Sequence, residues 1–404
     1  MKQYLVGGAV RDLVLGKNVS DKDYVAVGSS VEEMISLGFK SVGKSFPVFI
    51  HSQKEGEFAL ARTEKKSGKK HFDFECFTKD ISLEEDLKRR DLTINSIAYD
   101  EENDEFIDPF GGLGDIKNKI LRPTSEAFKE DALRIVRAAR FKTELGGDWN
   151  FDKKLKDYAL CMKEELKELS KERIYKETKK ALCARNSSVF FYSLLEFDAL
   201  DALFPFLYNL TKISHDNEYH MEGSVFAHTM MALDLCESAA AKWAVLFHDS
   251  GKYQSFSEDG NFHRHYDEKI IKSVFTGIQK SLSLSREEFE ISKFFALNHH
   301  KLQILLKNNM RASKIAVLLF KIKDKNRLEN ILEASFADLR GRVGKSSESG
   351  LFFNKEEIKK LWELLKYADY GVDNETMSVE RIKSEIIQKQ AQIVKNFIKS
   401  KAIF

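Results

Sequence analysis

The chain has few of the residues that cross-link or interrupt a protein fold. Its 404 residues include only four prolines and four cysteines, and Cys76, Cys161, Cys183 and Cys236 show no C-x-x-C spacing. The sequence therefore excludes a zinc ribbon and a disulfide scaffold, and it favours a reducing compartment. Because no proline follows Pro205, we expect a long helical remainder.

The chain also lacks a long apolar run and a strong net charge. No stretch approaches the ~20 apolar residues that cross a bilayer, and Arg11 and Asp12 interrupt the apolar start that a secretory signal needs. We therefore expect a cytoplasmic protein that contacts no membrane. The formal net charge is only +2, so a nucleic acid would have to bind through local basic patches.

Periodicity changes along the chain. Short segments at 23–28, 46–51, 57–62 and 71–77 alternate like strands. Ser30, with Glu33 three residues later, predicts a helix that is capped at Ser30 and ends at Gly38. From about residue 129 onward, apolar residues recur three and four positions apart, which is typical of helices.

These changes predict an α+β fold with four regions. We expect a mixed-sheet amino-terminal domain with helices, then a helical neck and body, a histidine-rich domain and a helical tail. The predicted boundaries are 1–122, 123–214, 215–342 and 343–404.

The first 28 residues bring two glycines, an Arg-Asp pair and an Asp-x-Asp pattern together. Asp21 and Asp23 lead into an apolar strand, where residues i and i+2 share a face, so we expect their carboxylates to converge. Mg²⁺ is the natural cation between them, since it bridges carboxylates to phosphates. Gly7 and Gly8 leave the backbone bare for a phosphate, and Arg11 supplies a forked cation. The combination predicts a nucleoside triphosphate site.

A second group of charged residues lies in KEDALRIVRAARF, residues 129–141, which we predict to be one helix. Asp131 and Arg134 are three apart and would share a helix face. A carboxylate beside a guanidinium can pair with the edge of a base. Arg137 and Arg140 would continue that face and either neutralise phosphate or hold the base stack.

Together these segments resemble the polymerase-β-like nucleotidyltransferases, in the class II branch that holds tRNA nucleotidyltransferases and bacterial poly(A) polymerases. Residues 84–100 are similar to the second motif of that branch, 107–122 to its connector and 130–141 to its E-D-x-x-R element. The α+β fold and the use of Mg²⁺ at Asp21 and Asp23 agree with this resemblance.

The resemblance also implies individual roles. Arg90 would hold the triphosphate, while Asp91 and Asn95 would shape the sugar pocket. Asp131 and Arg134 would replace a nucleic-acid template by accepting C or A. The rest of the nucleotide cradle would come from Gly8, Arg11, Arg137 and Arg140.

The segment between the catalytic strand and Arg90 bears on specificity. CCA-adding members carry a flexible loop there that helps to switch from C to A, and enzymes that add only two cytidines lack it. The charged Ser-Gly segment 62–75 therefore favours synthesis of the full CCA end. Asp73 within it is a candidate third catalytic carboxylate.

The histidines concentrate after residue 215, in an order that resembles the HD-domain metal-dependent phosphohydrolases. Imidazole and carboxylate ligands suit a divalent transition metal, such as Ni²⁺, that activates water. The resemblance assigns this metal to His228, His248, Asp249 and Asp338. Three more histidines could support these ligands or bind phosphate: His263, His265 and His299. One departure is the His-His pair in ALNHHKLQ, where relatives often carry His-Asp.

This layout is similar to that of the bacterial multifunctional CCA proteins. It implies a monomer or homodimer that adds CCA to the 3′ end of tRNA from CTP and ATP, gripping the acceptor arm by shape and backbone phosphates. One alternative is a partial CC- or A-adding enzyme or a poly(A) polymerase. Another is an HD phosphohydrolase whose amino-terminal part only binds RNA.

Overall fold

The computed structural model describes residues 1–19, 21–42, 48–66, 74–217, 220–342, 351–371 and 378–401. The chain divides into two compact units. The first contains Met1–Ala181 with Val189–Leu203, and the second contains Leu182–Ser188 with Phe204–Phe404. The division into four regions stays a prediction.

The amino-terminal part of the first unit is built on a mixed β-sheet. Its described strands are β1 (Lys2–Val6), β2 (Asp23–Val27), β3 (Lys40–Val42), β4 (Val48–His51), β5 (Lys54–Leu60), β6 (Thr63–Lys66), β7 (Phe74–Phe77), β8 (Ala98–Asp100), β9 (Glu105–Ile107), β10 (Ile120–Leu121) and β11 (Asn150–Phe151). Seven of these strands form the sheet, in the order β3-β4-β5-β2-β1-β8-β9, while β6 pairs with β7 and β10 pairs with β11. β2 runs antiparallel to β1 and parallel to β5.

Both faces of this sheet are covered, because successive residues of a strand point to opposite sides. Val25 packs on one face with Leu87, and its neighbour Ala26 packs on the other with Met34 and Phe49. The strand signals at 23–28 and 57–62 correspond to β2 and β5. β4 and β7 occupy the described parts of the other two segments, since 43–47 and 67–73 lie outside the described residues.

Helices connect and cover these strands. Up to Leu203 they are α1 (Gly8–Val14), α2 (Val31–Ser36), α3 (Leu83–Lys88), α4 (Gly112–Asn118), α5 (Leu133–Leu145), α6 (Lys153–Cys161), α7 (Lys163–Lys167), α8 (Lys171–Leu182), α9 (Ser188–Glu196) and α10 (Leu200–Leu203). Short 3₁₀ helices lie at Thr93–Asn95 and Glu126–Glu130. The helix predicted after Ser30 is confirmed as α2, because the Ser30 side chain accepts a hydrogen bond from the Glu33 amide at 3.2 Å.

The second unit is mainly helical. A hairpin of β12 (Ser214–Asn217) and β13 (His220–Ser224) accompanies α11 (Pro205–Thr211), α12 (Val225–Asp234), α13 (Ala239–Phe247), α14 (Lys252–Asp259), α15 (Glu268–Ser281), α16 (Arg286–Leu306), α17 (Ala312–Phe320), α18 (Lys325–Arg340), α19 (Lys355–Lys366) and α20 (Val379–Lys401). The core helix α13 packs against α12, α16 and α18, and it buries Trp243 and Phe247 completely. The tail helix α20 packs against α17 and α19.

The predicted fold class is confirmed, with a mixed sheet at the amino terminus followed by a mostly helical body. In the described ranges, no helix has both the length and the apolar character of a membrane span.

Candidate active site

One cavity of the first unit, with a volume of about 610 Å³, collects the candidate nucleotide-binding residues. They reach it from α1, from β2 and the bend before it, from the segment after α3, and from α5 and the residues just before it. The cavity is lined by both predicted catalytic aspartates and by all of the predicted nucleotide-binding residues: Gly8, Arg11, Asp21, Asp23, Arg90, Asp91, Asn95, Asp131, Arg134, Arg137 and Arg140.

Asp23 and Asp21 lie on the acidic side of the cavity. Asp23 is the first residue of β2, whereas Asp21 precedes the strand in a bend. The expectation that both acids share one face of a strand was therefore wrong for Asp21, although both line the same cavity. Burial raises the pKa of the Asp23 carboxyl; Arg90 opposes this shift, and Glu57 and Asp21 add to it. Carboxylate oxygens in such a group are ligands that suit Mg²⁺.

Gly7 lies beside these acids because Val6 pairs with Asp23 across β1 and β2. Gly7 has φ 73° and ψ −136°, a conformation that side chains with a Cβ rarely adopt. A Cβ at this position would lie 3.2 Å from Arg90 Nη1 and 4.0 Å from Asp23 Oδ2. The glycine therefore allows Arg90 to lie directly against the backbone next to the acids.

Asp86 of α3 holds Arg90 in this position. The fully buried carboxylate of Asp86 accepts hydrogen bonds from Arg90 Nη2 at 3.0 Å and from Arg89 Nη2 at 2.8 Å. Burial would raise the pKa of Asp86, but the two guanidinium groups outweigh it and hold that pKa below its usual range. Asp86 thus stays charged and presents two arginines to the cavity.

Asp91 anchors a second chain of hydrogen bonds. Its Oδ2 accepts from Arg137 Nε at 2.8 Å, and its Oδ1 accepts from Asn95 Nδ2 at 3.1 Å. Asn95 Oδ1 in turn accepts from Arg11 Nη1 at 3.0 Å. Burial would raise the pKa of Asp91, but Arg137 outweighs it and the pKa lies well below its usual range. The structure therefore connects the arginines of α1 and α5 through two buried side chains.

Asp131 and Arg134 do not share a helix, because α5 begins only at Leu133. Asp131 is extended, with φ −141°, and its Oδ1 accepts a hydrogen bond from the Leu133 amide at 3.1 Å. Arg134 Nη1 donates to the Ala127 carbonyl at 2.8 Å. The predicted helix over 129–141 was wrong at its start, because a 3₁₀ helix ends at Glu130 and Asp131 is extended before α5 begins.

Arg140 reaches the cavity as part of a compact ion-pair group. It is buried, with Nε 2.5 Å from Glu177 Oε2 and Nη1 2.6 Å from Glu144 Oε2. Its guanidinium also lies 4.1 Å from the centre of the Phe141 ring. The expected role in phosphate binding stays a prediction, and two carboxylates already neutralise the charge of this arginine.

Arg173 of α8 is a cavity residue that the sequence did not single out. Its Nη2 lies 2.6 Å from Asp131 Oδ2, and its Nη1 is buried without a hydrogen-bond partner among the described residues. Lys180 of the same helix also lines the cavity. Nothing in the spacing around Arg173 distinguishes it from the other charged residues of a helix, so only the tertiary structure identifies it.

The histidine cluster of the second unit forms around Asp249. His228, His248 and Asp249 can place one ligand atom each within 4.8 Å of one another, and so can Asp249, His265 and His299. His248 Nε2 lies 3.1 Å from one oxygen of Asp249, while His265 Nε2 and His299 Nε2 each lie 3.7 Å from the other. Asp249 therefore stands between two sets of imidazoles.

Asp338 joins the first of these sets. Its Oδ1 lies 3.0 Å from His228 Nε2 and 3.6 Å from His248 Nε2. Asp338 is completely buried, and Gln303 Nε2 donates to its other oxygen at 2.5 Å. The four residues that the HD resemblance assigned to the metal are thus brought together. His265 and His299 lie beside them, whereas His263 is exposed and belongs to neither group.

The backbone orients these imidazoles. Nδ1 of His228, His248 and His299 lies 3.2, 2.6 and 3.2 Å from a main-chain carbonyl oxygen, respectively. A carbonyl can only accept, so each Nδ1 donates to it and each Nε2 is left facing the cluster. Burial lowers the pKa of His299 to about 3, whereas Asp249 and Asp338 outweigh burial at His248 and raise its pKa. Imidazole nitrogens that are oriented in this way beside carboxylates fit a divalent cation.

Comparisons with known proteins match both the sequence and the fold. Residues 3–122 match the poly A polymerase head domain, and residues 150–210 match a domain described as the probable RNA and SrmB-binding site of polymerase A. These two matches agree with the resemblance to the poly(A) polymerase family over residues 3–122 and 150–210, which together make up less than half of the chain.

Solved structures agree with this fold across almost the whole chain. The *Bacillus stearothermophilus* CCA-adding enzyme in complex with CTP is 22% identical, with a TM-score of 0.62, over 98% of this chain and 89% of that chain. A CCA-adding enzyme with ATP gives the same identity and TM-score, over 98% and 91%. A tRNA-processing enzyme complex gives a TM-score of 0.55 at 22% identity, over 97% of both chains.

The family matches cover only part of the site. The head-domain match includes Gly8, Arg11, both acids and Arg90, whereas Asp131 to Arg140 lie between the two matched segments. The histidine cluster lies beyond both of them. Asp73 lies outside the described residues, so its assignment as a third carboxylate stays a prediction.

Proposed function

We propose that this protein is a CCA tRNA nucleotidyltransferase, which adds and repairs the 3′-terminal CCA of tRNA from CTP and ATP without a nucleic-acid template. The observation that carries the proposal is the single cavity that contains both acids, the triphosphate-binding arginines and the Asp131–Arg134 pair. The solved CCA-adding enzymes with CTP and ATP, which share the fold, support the same choice of nucleotides.

Asp21 and Asp23 would hold Mg²⁺ at this site. Bound magnesium ions would lower the pKa of the attacking 3′-hydroxyl and stabilise the leaving pyrophosphate. The protein itself would align the triphosphate, with Arg90 fixed by Asp86 and with Arg11 fixed by Asn95. Holding the reacting groups in this arrangement lowers the entropic part of the barrier.

Asp131 and Arg134 would select the base. Arg173 fixes one oxygen of Asp131, and the Ala127 carbonyl fixes one nitrogen of Arg134. Because both side chains are held by neighbours, their remaining donors and acceptors present a defined edge to a base. The helical body would grip the tRNA acceptor arm through backbone phosphates.

The proposal is tested by incubating a tRNA that lacks its terminal CCA with each of the four nucleoside triphosphates, alone and combined, and by sequencing the extended end. We expect incorporation of C, C and A with Mg²⁺, and none by Asp21→Ala or Asp23→Ala. Addition of C alone or A alone would identify a partial enzyme, and a long A tract would identify a poly(A) polymerase. Full activity of both variants would reject the assignment of the two acids.

We also propose that the histidine cluster binds a divalent transition metal, such as Ni²⁺, and hydrolyses phosphate esters. Its support is the convergence of imidazole Nε2 atoms on Asp249 and Asp338. His228, His248, Asp249 and Asp338 would hold the metal, which supplies a water of lowered pKa when bound. Lys252 Nζ, 2.8 Å from Asp249, compensates part of the negative charge.

Metal content provides the first test of this second activity. We expect elemental analysis to find a transition metal in the wild-type protein and less in His228→Ala and Asp338→Asn. Hydrolysis of bis(*p*-nitrophenyl) phosphate should follow the metal content, whereas Asp21→Ala should keep it. If the protein contains the metal but hydrolyses no phosphate ester, the histidine cluster is only a structural metal site.

A further inference from the structure

A second large cavity lies in the second unit, between the carboxyl-terminal half of α16 and α17. This basic groove has a volume of about 750 Å³ and is defined by Lys301, Arg311, Lys314, Lys321, Ile304 and Val317. Its volume is in the range that holds a drug-sized ligand, so it has room for a nucleotide. The nucleotidyl-transfer cavity belongs to the first unit and shares no residue with the groove.

The charge of the groove is of one sign. No Asp or Glu lines it, and no carboxylate of the described residues pairs with Lys301, Arg311, Lys314 or Lys321. The nearby Lys325, in contrast, pairs with a glutamate of α19 at 3.4 Å. Four exposed cations without acidic partners attract a polyanion, and each phosphate that they neutralise releases counter-ions.

Part of the surface between these cations is apolar. Ile304 is 40% exposed, and Val317 lies on the facing side of α17. Proteins that bind single-stranded nucleic acids combine cations along the backbone with apolar or aromatic surface against the bases. A free inorganic phosphate would use the cations and leave this apolar surface uncovered.

The groove adjoins the histidine cluster through His300. His300 lines the groove, and the residue before it, His299, is in the cluster. The His300 ring stacks on Tyr266 at 3.6 Å between ring centres, and Tyr266 directly follows His265 of the cluster. Nδ1 of His300 is buried and has no hydrogen-bond partner in the described part of the chain. His300 therefore lines the groove while its ring centre lies 6.0 Å from that of His299 in the cluster.

We propose that the basic groove binds single-stranded RNA and presents its phosphodiester to the histidine cluster. The inference rests on the proposed hydrolytic function and specifies its substrate as a polynucleotide strand. Hydrolysis forms a bond from the water oxygen to phosphorus and breaks one phosphorus–ribose oxygen bond. One proton of the water passes to the leaving ribose oxygen, and the other goes to the product phosphate or to solvent.

The test compares two diesters on the full-length, metal-loaded protein. One is a short single-stranded RNA, and the other is bis(*p*-nitrophenyl) phosphate, which is too small to span the groove and the cluster. We expect Lys314→Ala/Lys321→Ala to raise KM for the RNA at least fivefold and to leave kcat/KM for the small diester unchanged. The matched control, Lys272→Ala/Lys280→Ala, removes two exposed lysines of α15 outside the groove and should change neither.

RNA affinity measured against salt concentration gives an independent result. The binding constant falls as salt rises, and each lost phosphate contact makes the negative slope of log K against log salt less steep by about 0.7 for single strands. The groove variant, which loses two lysines, should therefore show a slope less steep by about 1.4. An unchanged slope, or an equal change in the control variant, overturns the proposal whether or not hydrolysis occurs. If the wild-type protein hydrolyses neither diester but the slope falls as expected, the groove binds RNA and the proposed hydrolytic function fails.

Discussion

Replacement of Arg173 tests whether the base-selecting carboxylate has to be held in place. Arg173 comes from α8, and its Nη2 lies 2.6 Å from Asp131 Oδ2. The other oxygen of Asp131 already accepts from the Leu133 amide at 3.1 Å. Arg173→Gln therefore removes the charged partner of Asp131 and allows its carboxylate to turn away from the base. Arg173→Lys keeps the charge and loses the forked geometry.

The magnitude follows from the exposure of this ion pair. A hydrogen bond to a charged group contributes about 1.5–3 kcal/mol. The side chains of Arg173 and Asp131 are 24% and 23% exposed, so solvent compensates part of the loss and the lower end of that range applies. About 1.5 kcal/mol corresponds to roughly a tenfold change. We expect a tenfold lower kcat/KM for CTP and ATP in Arg173→Gln and a smaller loss in Arg173→Lys.

The informative assay measures selectivity as well as rate. Incorporation of all four nucleotides into truncated tRNA should show that Arg173→Gln accepts UTP and GTP more readily relative to CTP and ATP. Arg122→Gln is the matched control, since Arg122 pairs with Asp115 at 3.0 Å and with Asp152 at 2.8 Å but does not line the cavity. If Arg173→Gln keeps wild-type selectivity while Asp131→Asn loses it, Arg173 does not position Asp131.

Two further predictions concern groups that support Arg90. Gly7→Ala should lower kcat/KM, because a side chain at positive φ strains the backbone by about 1–3 kcal/mol and the new Cβ would lie 3.2 Å from Arg90 Nη1. The control is Gly16→Ala, at φ 66° with open space around it, which should lower the thermal stability by the strain alone and keep the activity. Asp86 has a pKa lowered by folding, so its stabilisation is complete above the unfolded pKa of about 3.9 and is lost as the pH falls through the folded value. Asp86→Asn should lower the free energy of unfolding by about 3 kcal/mol at pH 7 and make it depend less on pH in the acid range. If denaturant melts show the same acid pH dependence for the variant and the wild type, this assignment of Asp86 is contradicted.

Local sequence rules predicted much of the first unit correctly. The alternation in 23–28 and 57–62 and the Ser30–Glu33 cap correspond to β2, β5 and α2, because strand alternation and helix capping depend on residues close in sequence. The same local reasoning extended α5 too far toward its amino terminus. The Asp131 side chain accepts a hydrogen bond from the Leu133 amide, and short polar residues often make such local bonds in preference to continuing a helix.

Local sequence patterns predicted the residues of the candidate site but not their arrangement. The spacing of Asp21 and Asp23 indicated a metal site, but the bend before β2 and the pairing of Val6 with Asp23 decide how these acids approach Gly7. Similarly, the histidine-rich order indicated a metal cluster, whereas the position of Asp249 between two pairs of imidazoles depends on the packing of α13 against α16.

By itself, the sequence determined the class of the fold and the identity of the chemical groups, since carboxylates, guanidiniums and imidazoles carry their chemistry wherever they lie. The tertiary structure decided which of these groups meet. Arg173 joins Asp131 across 42 residues, and four cations from two helices and their ends line one groove together with His300. Such contacts depend on how helices distant in sequence pack together, and no local spacing records that packing.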